Sequence, residues 1–374
     1  MHTCRRWRRI VFASHKVLRL RLFCTRGTPV QKSPDCWPAL PIVVQYGGSL
    51  SLGPPTLEDE DDIMAALQQA NRVISINLTV TTPLLAKLST IKSPFSKLED
   101  LVLLSLHGLP LTMLRVSPFQ WGQHLRRIHF TRVAFPALLQ LLSSSANLID
   151  LQLHEVFHPW KFTPEILMKT LSNLGQLRSL SLHLCSAAYY RHFPPPEMER
   201  IFLPVLTRLN FRGSMAYLES IVAMIDVPLL EDIEITLFDH PVLAHSKLNT
   251  FINQIEMYRS HCGAHVLSSR PTISFSLTQP GAPMCLKLQL LCKPLRMQIS
   301  SLAQICLNSP FLFKDKWDRC IIATRPSVRM NSSHGRELLE LLNLFTGKRF
   351  FHLNEKLLAK CHAYFATSRD SEAA

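Results

Sequence analysis

Three residues near the middle of the chain have the types and spacing for metal chemistry: His154, Glu155 and His158, in the run HEVFH. Histidines four apart on a helix stand about 6 Å from each other on one face and can share a zinc ion, with the glutamate as a base. On a strand, which advances about 3.3 Å per residue, the same two would stand about 13 Å apart, too far for nitrogens that must each lie about 2 Å from the metal. A second candidate is the acidic run EDEDD, Glu58 to Asp62, which could be a metal or acid-base cluster, or the first turn of a helix over IMAALQQA, where carboxylates favour the helix dipole. The phosphate-cradling G-x-x-x-x-G-K, the dinucleotide G-x-G-x-x-G and the nucleophile-elbow G-x-S-x-G patterns do not occur. Which chemistry survives depends on the elements that hold these residues.

Those elements repeat. Seven hexapeptides carry apolar residues at relative positions 0, 3 and 5: VISINL from Val73, LEDLVL from Leu98, LRRIHF from Leu125, LIDLQL from Leu148, LRSLSL from Leu177, LTRLNF from Leu206 and LEDIEI from Leu230. Their starts are 25, 27, 23, 29, 29 and 24 residues apart. This is the L-x-x-L-x-L strand of a leucine-rich repeat, whose period is about 20 to 29 residues. The stretches between them, such as FPALLQLLSSSAN, TPEILMKTLSNLG and SMAYLESIVAMI, have apolar residues at helical spacing, and Thr163-Pro164 reads as an N-cap followed by proline at N1. The expected fold is α/β, a leucine-rich-repeat-like solenoid or horseshoe with parallel strands on the concave face and helices on the convex face. The repeats are irregular, because of the later copies only Cys185 supplies the Asn or Cys that the consensus has at position 8.

In this register His154 sits at position 6 of the Leu148 repeat, on or just past a strand, and Pro159 follows where a zinc-binding helix would have to continue. Lys161 and Pro164 stand where a longer zinc motif has Gly and His. No metal and no cofactor are expected, and the chain is not expected to be an enzyme. For EDEDD the helical first turn is the preferred reading.

Side chains alternate across a strand, so positions 2, 4 and 6 should project from the concave face. The candidate client-binding residues are therefore Arg127, His129, Asp150, Gln152, His154, Ser181, His183, Arg208, Asn210, Arg212, Asp232 and Glu234. A parallel register should set His154 beside His183, with Arg208 and Arg212 on the following strand and Asp150 and Asp232 flanking them. The plainer alternative is a solvated sheet face.

Composition is consistent with a globular chain: 374 residues, 47% hydrophobic, are enough to bury a substantial core. The net charge of +14 is uneven, since the first 34 residues hold nine Lys or Arg and no acid, leaving 32 bases against 27 acids. That segment could contact phosphate backbones or act as a presequence, but a solvated basic face is the commoner meaning, and nucleic acid is not an expected partner. Ten cysteines form no C-x-x-C pair, and no uncharged apolar run has the length of a membrane span. Cytoplasmic or nuclear residence, with reduced thiols and no membrane, is the expectation.

One stretch adds a resemblance. CRRWRRIVFAS, Cys4 to Ser14, with the strand-like VLRLRLFC after it, resembles the closing Cys-x-x-Trp-x-x-Ile/Leu helix of an F-box. WPALPIVVQYGG, EDEDDIMAALQQANRVISINLTV, LPVLTRLNFRG and VPLLEDIEITLF are similar to segments of fungal F-box proteins with degenerate leucine-rich repeats, as far as about Phe351. The resemblance implies the substrate-recognition subunit of a cullin-type (SCF) E3 ubiquitin ligase. Cys4, Trp7 and Ile10 would contact its Skp-type adaptor, and the repeats would hold an unidentified protein substrate. The chain starts at the last F-box helix, so a repeat-only interaction module without ligase function stays open beside it. The expected organisation is a remnant of the F-box helix over 1–22, a linker and leading helix over 23–70, irregular repeats over 71–295, and a helical cap over 296–374. CLKLQLLC, Cys285 to Cys292, reads as a further repeat strand, and Arg336–Phe345 and Asn354–Phe365 as the capping helices.

Overall fold

The structure is a computed structural model, and it describes residues 10, 19–24, 40–47, 54–105, 124–133, 137–155, 163–184, 200–238 and 247–255, together with strand segments 263–269, 272–278, 286–290, 320–324 and 351–353. The fold is α/β, and the chain divides into two compact units, Met1–His183 and Leu184–Ala374.

In the first unit seven strands pair parallel in sequence order: β1 (Leu20–Phe23), β2 (Ile42–Tyr46), β3 (Val73–Val80), β4 (Asp100–Ser105), β5 (Arg127–Thr131), β6 (Asp150–His154) and β7 (Ser179–His183). The 0, 3, 5 pattern explains why. Leu98, Leu125, Leu148 and Leu177 at position 0, and Leu101, Leu103, Ile128, Phe130, Leu151, Leu153, Leu180 and Leu182 at positions 3 and 5, are all buried. Each such side chain contributes about 1.5–3 kcal/mol by leaving water, and a one-residue slip would turn the whole apolar row outward.

Helices return the chain between strands: α1 (Leu57–Leu67), α2 (Thr82–Leu88), α3 (Leu138–Ser144) and α4 (Pro164–Leu171). Thr56, Thr81 and Thr163 cap α1, α2 and α4 through their hydroxyls, and α2 and α4 carry proline in the first turn. Their apolar stripes are buried, for example Ile63, Ala66 and Leu67 on α1 and Leu167, Met168 and Leu171 on α4. Two strands fall outside the expected repeats, since β1 straddles the 22/23 boundary and β2 lies in the segment expected to be linker.

In the second unit β9 (Arg208–Gly213), β11 (Asp232–Leu237) and β14 (Leu286–Leu290) pair parallel, as the repeat pattern requires, with α5 (Met215–Met224) joining the first two. β8 (Ile201–Phe202) and β10 (Ile225–Asp226) form a small parallel pair, and α6 (Lys247–Gln254) packs on α5. Tyr217 of α5 is fully buried and its ring lies 6.2 Å from that of Phe211 on β9. Beyond α6 the order changes: β12 (Gly263–Ser269) and β13 (Thr272–Thr278) form an antiparallel hairpin, β13 also runs antiparallel to β14, and β15 (Cys320–Thr324) and β16 (Phe351–Leu353) follow β12 in parallel. β15 and β16 are strands within the span expected to be a helical cap, whereas the expected helices Arg336–Phe345 and Asn354–Phe365 lie outside the described residues.

Candidate functional site

Positions 2, 4 and 6 of the first unit's strands stand in register. Asp100, Arg127, Asp150 and Ser179 form one row, Val102, His129, Gln152 and Ser181 the next, and Leu104, Thr131, His154 and His183 the third. Most of these side chains are part-exposed while their neighbours at 3 and 5 are buried, as strand alternation dictates.

Arg127 forks onto Asp100, with Nε and an Nη 2.7 and 3.0 Å from the two carboxylate oxygens. This ion pair, added to the charge of Asp150, holds the guanidinium more firmly protonated than usual. Sequence reasoning missed Asp100, although two opposite charges at position 2 of successive repeats were there to be matched. Asp150 accepts a hydrogen bond from Gln152 at 3.1 Å through one oxygen, while the other is buried without a hydrogen-bond partner among the described residues.

The three histidines meet. His154 and His183 stack, ring centroids 3.8 Å apart and 7° from parallel, and His129 lies edge-on to His154 at 4.9 Å. The Ser181 hydroxyl is 3.0 Å from His154 Nε2 and 3.4 Å from His183 Nε2, and the Thr131 hydroxyl is 3.0 Å from His129 Nε2. Burial lowers the pKa of His129 below the ordinary histidine value; Asp150 pulls it back up and His183 adds to the lowering. The sequence register gives the His154–His183 pairing; His129, at position 4, joins them only diagonally, a contact that a row-by-row reading passes over.

The zinc reading of HEVFH fails on geometry. His154 ends β6 and Glu155 follows with φ 51°, so neither is helical, and His158 lies outside the described residues. Among the described residues no three His, Cys, Asp or Glu converge to hold a metal. The EDEDD run is structural. Asp59 accepts from the Thr56 backbone N–H at 2.9 Å and its hydroxyl at 2.7 Å, closing a capping box. Glu60 accepts from the Thr81 hydroxyl at 2.7 Å, and although its other oxygen has no hydrogen bond of good angle, the Lys87 ammonium stands 3.1 Å from it as counter-charge. Burial, with Asp62 and Asp59 nearby, pushes the Cys24 thiol up to about 12, which makes it unreactive.

In the second unit Arg208, Asn210 and Arg212 on β9 stand opposite Asp232, Glu234 and Thr236 on β11. Glu234 pairs with Lys287 of β14. Partial burial pushes the Asp232 carboxyl up against the opposing pull of Arg208. The Arg212 guanidinium lies 5.2 Å from the Phe238 ring centre. Of the adaptor-matching residues, Cys4 and Trp7 lie outside the described residues, and Ile10 is helical and 49% exposed. No described helix is long and apolar enough to cross a membrane.

Comparison with protein-family models, curated proteins and solved structures finds no match for the chain.

Proposed function

We propose that the chain is a non-catalytic protein-binding receptor, an irregular leucine-rich-repeat-like solenoid or horseshoe whose sheet face holds a client protein while its helices cover the other side. The observation that carries this reading is the set of register-aligned rows on β4 to β7, polar except for Val102 and Leu104, which change in charge and hydrogen-bonding character from strand to strand above a uniformly apolar layer. Packing explains the apolar layer but does not require such variety above it, and repeat proteins use surfaces of this kind to grip partners. The resemblance to F-box proteins extends the reading: the receptor presents its client to a cullin-type (SCF) ubiquitin ligase in the cytoplasm or nucleus, docked on a Skp-type adaptor through Cys4, Trp7 and Ile10, and makes no bond itself. A repeat-only interaction module is the second reading, favoured by the narrowing of the adaptor resemblance to those three residues.

The test is affinity purification of the tagged full chain from cells, beside a Gln152→Ala/His154→Ala variant. Recovery of a Skp-type adaptor and a cullin, with a set of clients lost in the variant, supports the ligase receptor. The same client loss without adaptor or cullin supports the repeat-only module. Identical partners for both chains overturn the sheet-face assignment.

A further inference from the structure

At the N-terminal edge of the first unit's strands, away from positions 2, 4 and 6, lies a pocket of about 520 Å³. The repeat register builds it from two rows. The residues just after each repeat's first apolar residue are Ile74, Glu99, Arg126 and Ile149, and their backbones are laddered: Glu99 N–H donates to Ile74 C=O at 2.8 Å, Arg126 to Glu99 at 2.7 Å and Ile149 to Arg126 at 2.8 Å. The residues just before each first leucine are Lys97, His124, Asn147 and Gln176, and they form the other wall. Four rungs at about 4.8 Å give a groove about 14 Å long, close to the span of a four-residue extended peptide at about 3.3 Å per residue.

The chemistry of the walls is uneven. Ile74, 8% exposed, and half-buried Ile149 give apolar footing at either end of the laddered row. Between them Lys97 and Arg126 bring two positive charges against the single carboxylate of Glu99, with His124 beside them. Lys97 and Arg126 are exposed, and among the described residues neither is in an ion pair, unlike Arg127 one residue further on, which is held by Asp100. Gln176 carries an amide group able to donate to and accept from a peptide backbone. Most of the lining is exposed, so the site is an open channel rather than an enclosure that would bury most of a small molecule.

We infer that this groove binds an extended acidic peptide segment, with a carboxylate side chain at Lys97 and Arg126 flanked by apolar residues over Ile74 and Ile149. The inference stands apart from the client face, since the groove uses none of its residues.

The test is fluorescence anisotropy of the full chain with a fluorescein-labelled peptide Ser-Gly-Leu-Asp-Ile-Asp-Gly-Ser, beside the same peptide with lysine in place of both aspartates. The acidic peptide should bind at least tenfold more tightly than the basic one, and its affinity should fall as salt rises. Lys97→Glu/Arg126→Glu should abolish that preference without a change in melting temperature or far-ultraviolet dichroism, and Lys97→Gln/Arg126→Gln should weaken it, a milder change should the reversal perturb folding. Lys169→Glu, a charge reversal at an exposed position of α4 outside the groove and outside the client face, should leave the binding intact. Equal affinity for the two peptides, unchanged binding by the groove variants, or loss on the Lys169 variant would each overturn the assignment.

Discussion

Gly47 closes β2 with φ +88°, and a Cβ built there would lie 2.2 Å from the Thr79 hydroxyl oxygen and 3.0 Å from its Cβ. Both the backbone and the space therefore require glycine. Gly47→Ala should destabilise the protein by at least about 1–2 kcal/mol from the left-handed backbone alone, and displacement of Thr79 adds to this. The measurement is the urea midpoint, and an unchanged midpoint would mean that β2 does not dock on β3 as described. His129 makes a pH prediction at the same scale. Its folded-state pKa lies below the ordinary 6.5, chiefly through burial. The unfolded chain thus takes up the proton more readily, and the stabilising contribution, complete above that ordinary value, is lost as pH falls through it. His129→Gln should flatten the fall of the melting temperature between about pH 7 and pH 5, the range over which an ordinary histidine titrates. An unaltered slope would assign the acid sensitivity to other groups.

At the scale of elements, caps decide where the helices start. Thr56 and Asp59 satisfy each other's backbone N–H groups at the start of α1, whereas Thr163 reaches Ile166 N–H at 3.4 Å in an exposed position. Thr56→Ala should cost about 1–2 kcal/mol and Thr163→Ala about 0.5–1, a ranking that equilibrium denaturation of the two variants would reverse if the box were not formed. The strands show which parts of the sequence could be read. Those with an apolar residue at positions 0, 3 and 5 were legible from Val73 to Leu230, and their burial follows the pattern. β2 was not, because its register shifts between Ile42 and Val43: Ile42 stands opposite Val73, Val44 opposite Ile76 and Tyr46 opposite Leu78, so its apolar residues are spaced 0, 2, 4 rather than 0, 3, 5. β1 misses the pattern in the same way, with Leu20 opposite Ile42 and Leu22 opposite Val44. The β12–β13 hairpin left a trace in the alternation Ile273, Phe275, Leu277, but its connection is Arg270-Pro271 and not one of the Asn-Gly or Asp-Gly turns by which a hairpin is recognised. Site residues were legible to the extent that they follow the register: the His154–His183 pairing does. The Asp100–Arg127 fork lies within one row and was there to be matched, whereas the contact of His129 with His154 runs diagonally between rows, which a row-by-row reading does not contain.

For the molecule as a whole, the charge outside the first 34 residues is close to balanced, with 32 bases against 27 acids, so the proposed recognition would rest on where charges lie rather than on their sum. A receptor needs a surface whose charges the fold can spare. Several face charges do not qualify, since Arg127 is held by Asp100 and Lys287 by Glu234. Arg208 and Arg212 are different: both are exposed, and among the described residues neither is in an ion pair. Arg212 rests against Phe238, a contact worth about 0.5–1 kcal/mol at an exposed site. Arg208→Glu/Arg212→Glu should therefore lower the melting temperature by no more than about 4 °C, the shift that about 1 kcal/mol produces in a protein of this size class. If the clients present acidic segments to β9, the same variant should lose them, because bidentate guanidinium–carboxylate contacts would become like-charge repulsion. Thermal melting and quantitative co-purification on one preparation separate the two effects. Full retention of partners by a folded double variant would remove the arginines from recognition, and a collapse of the melting temperature would mean that they serve the fold instead.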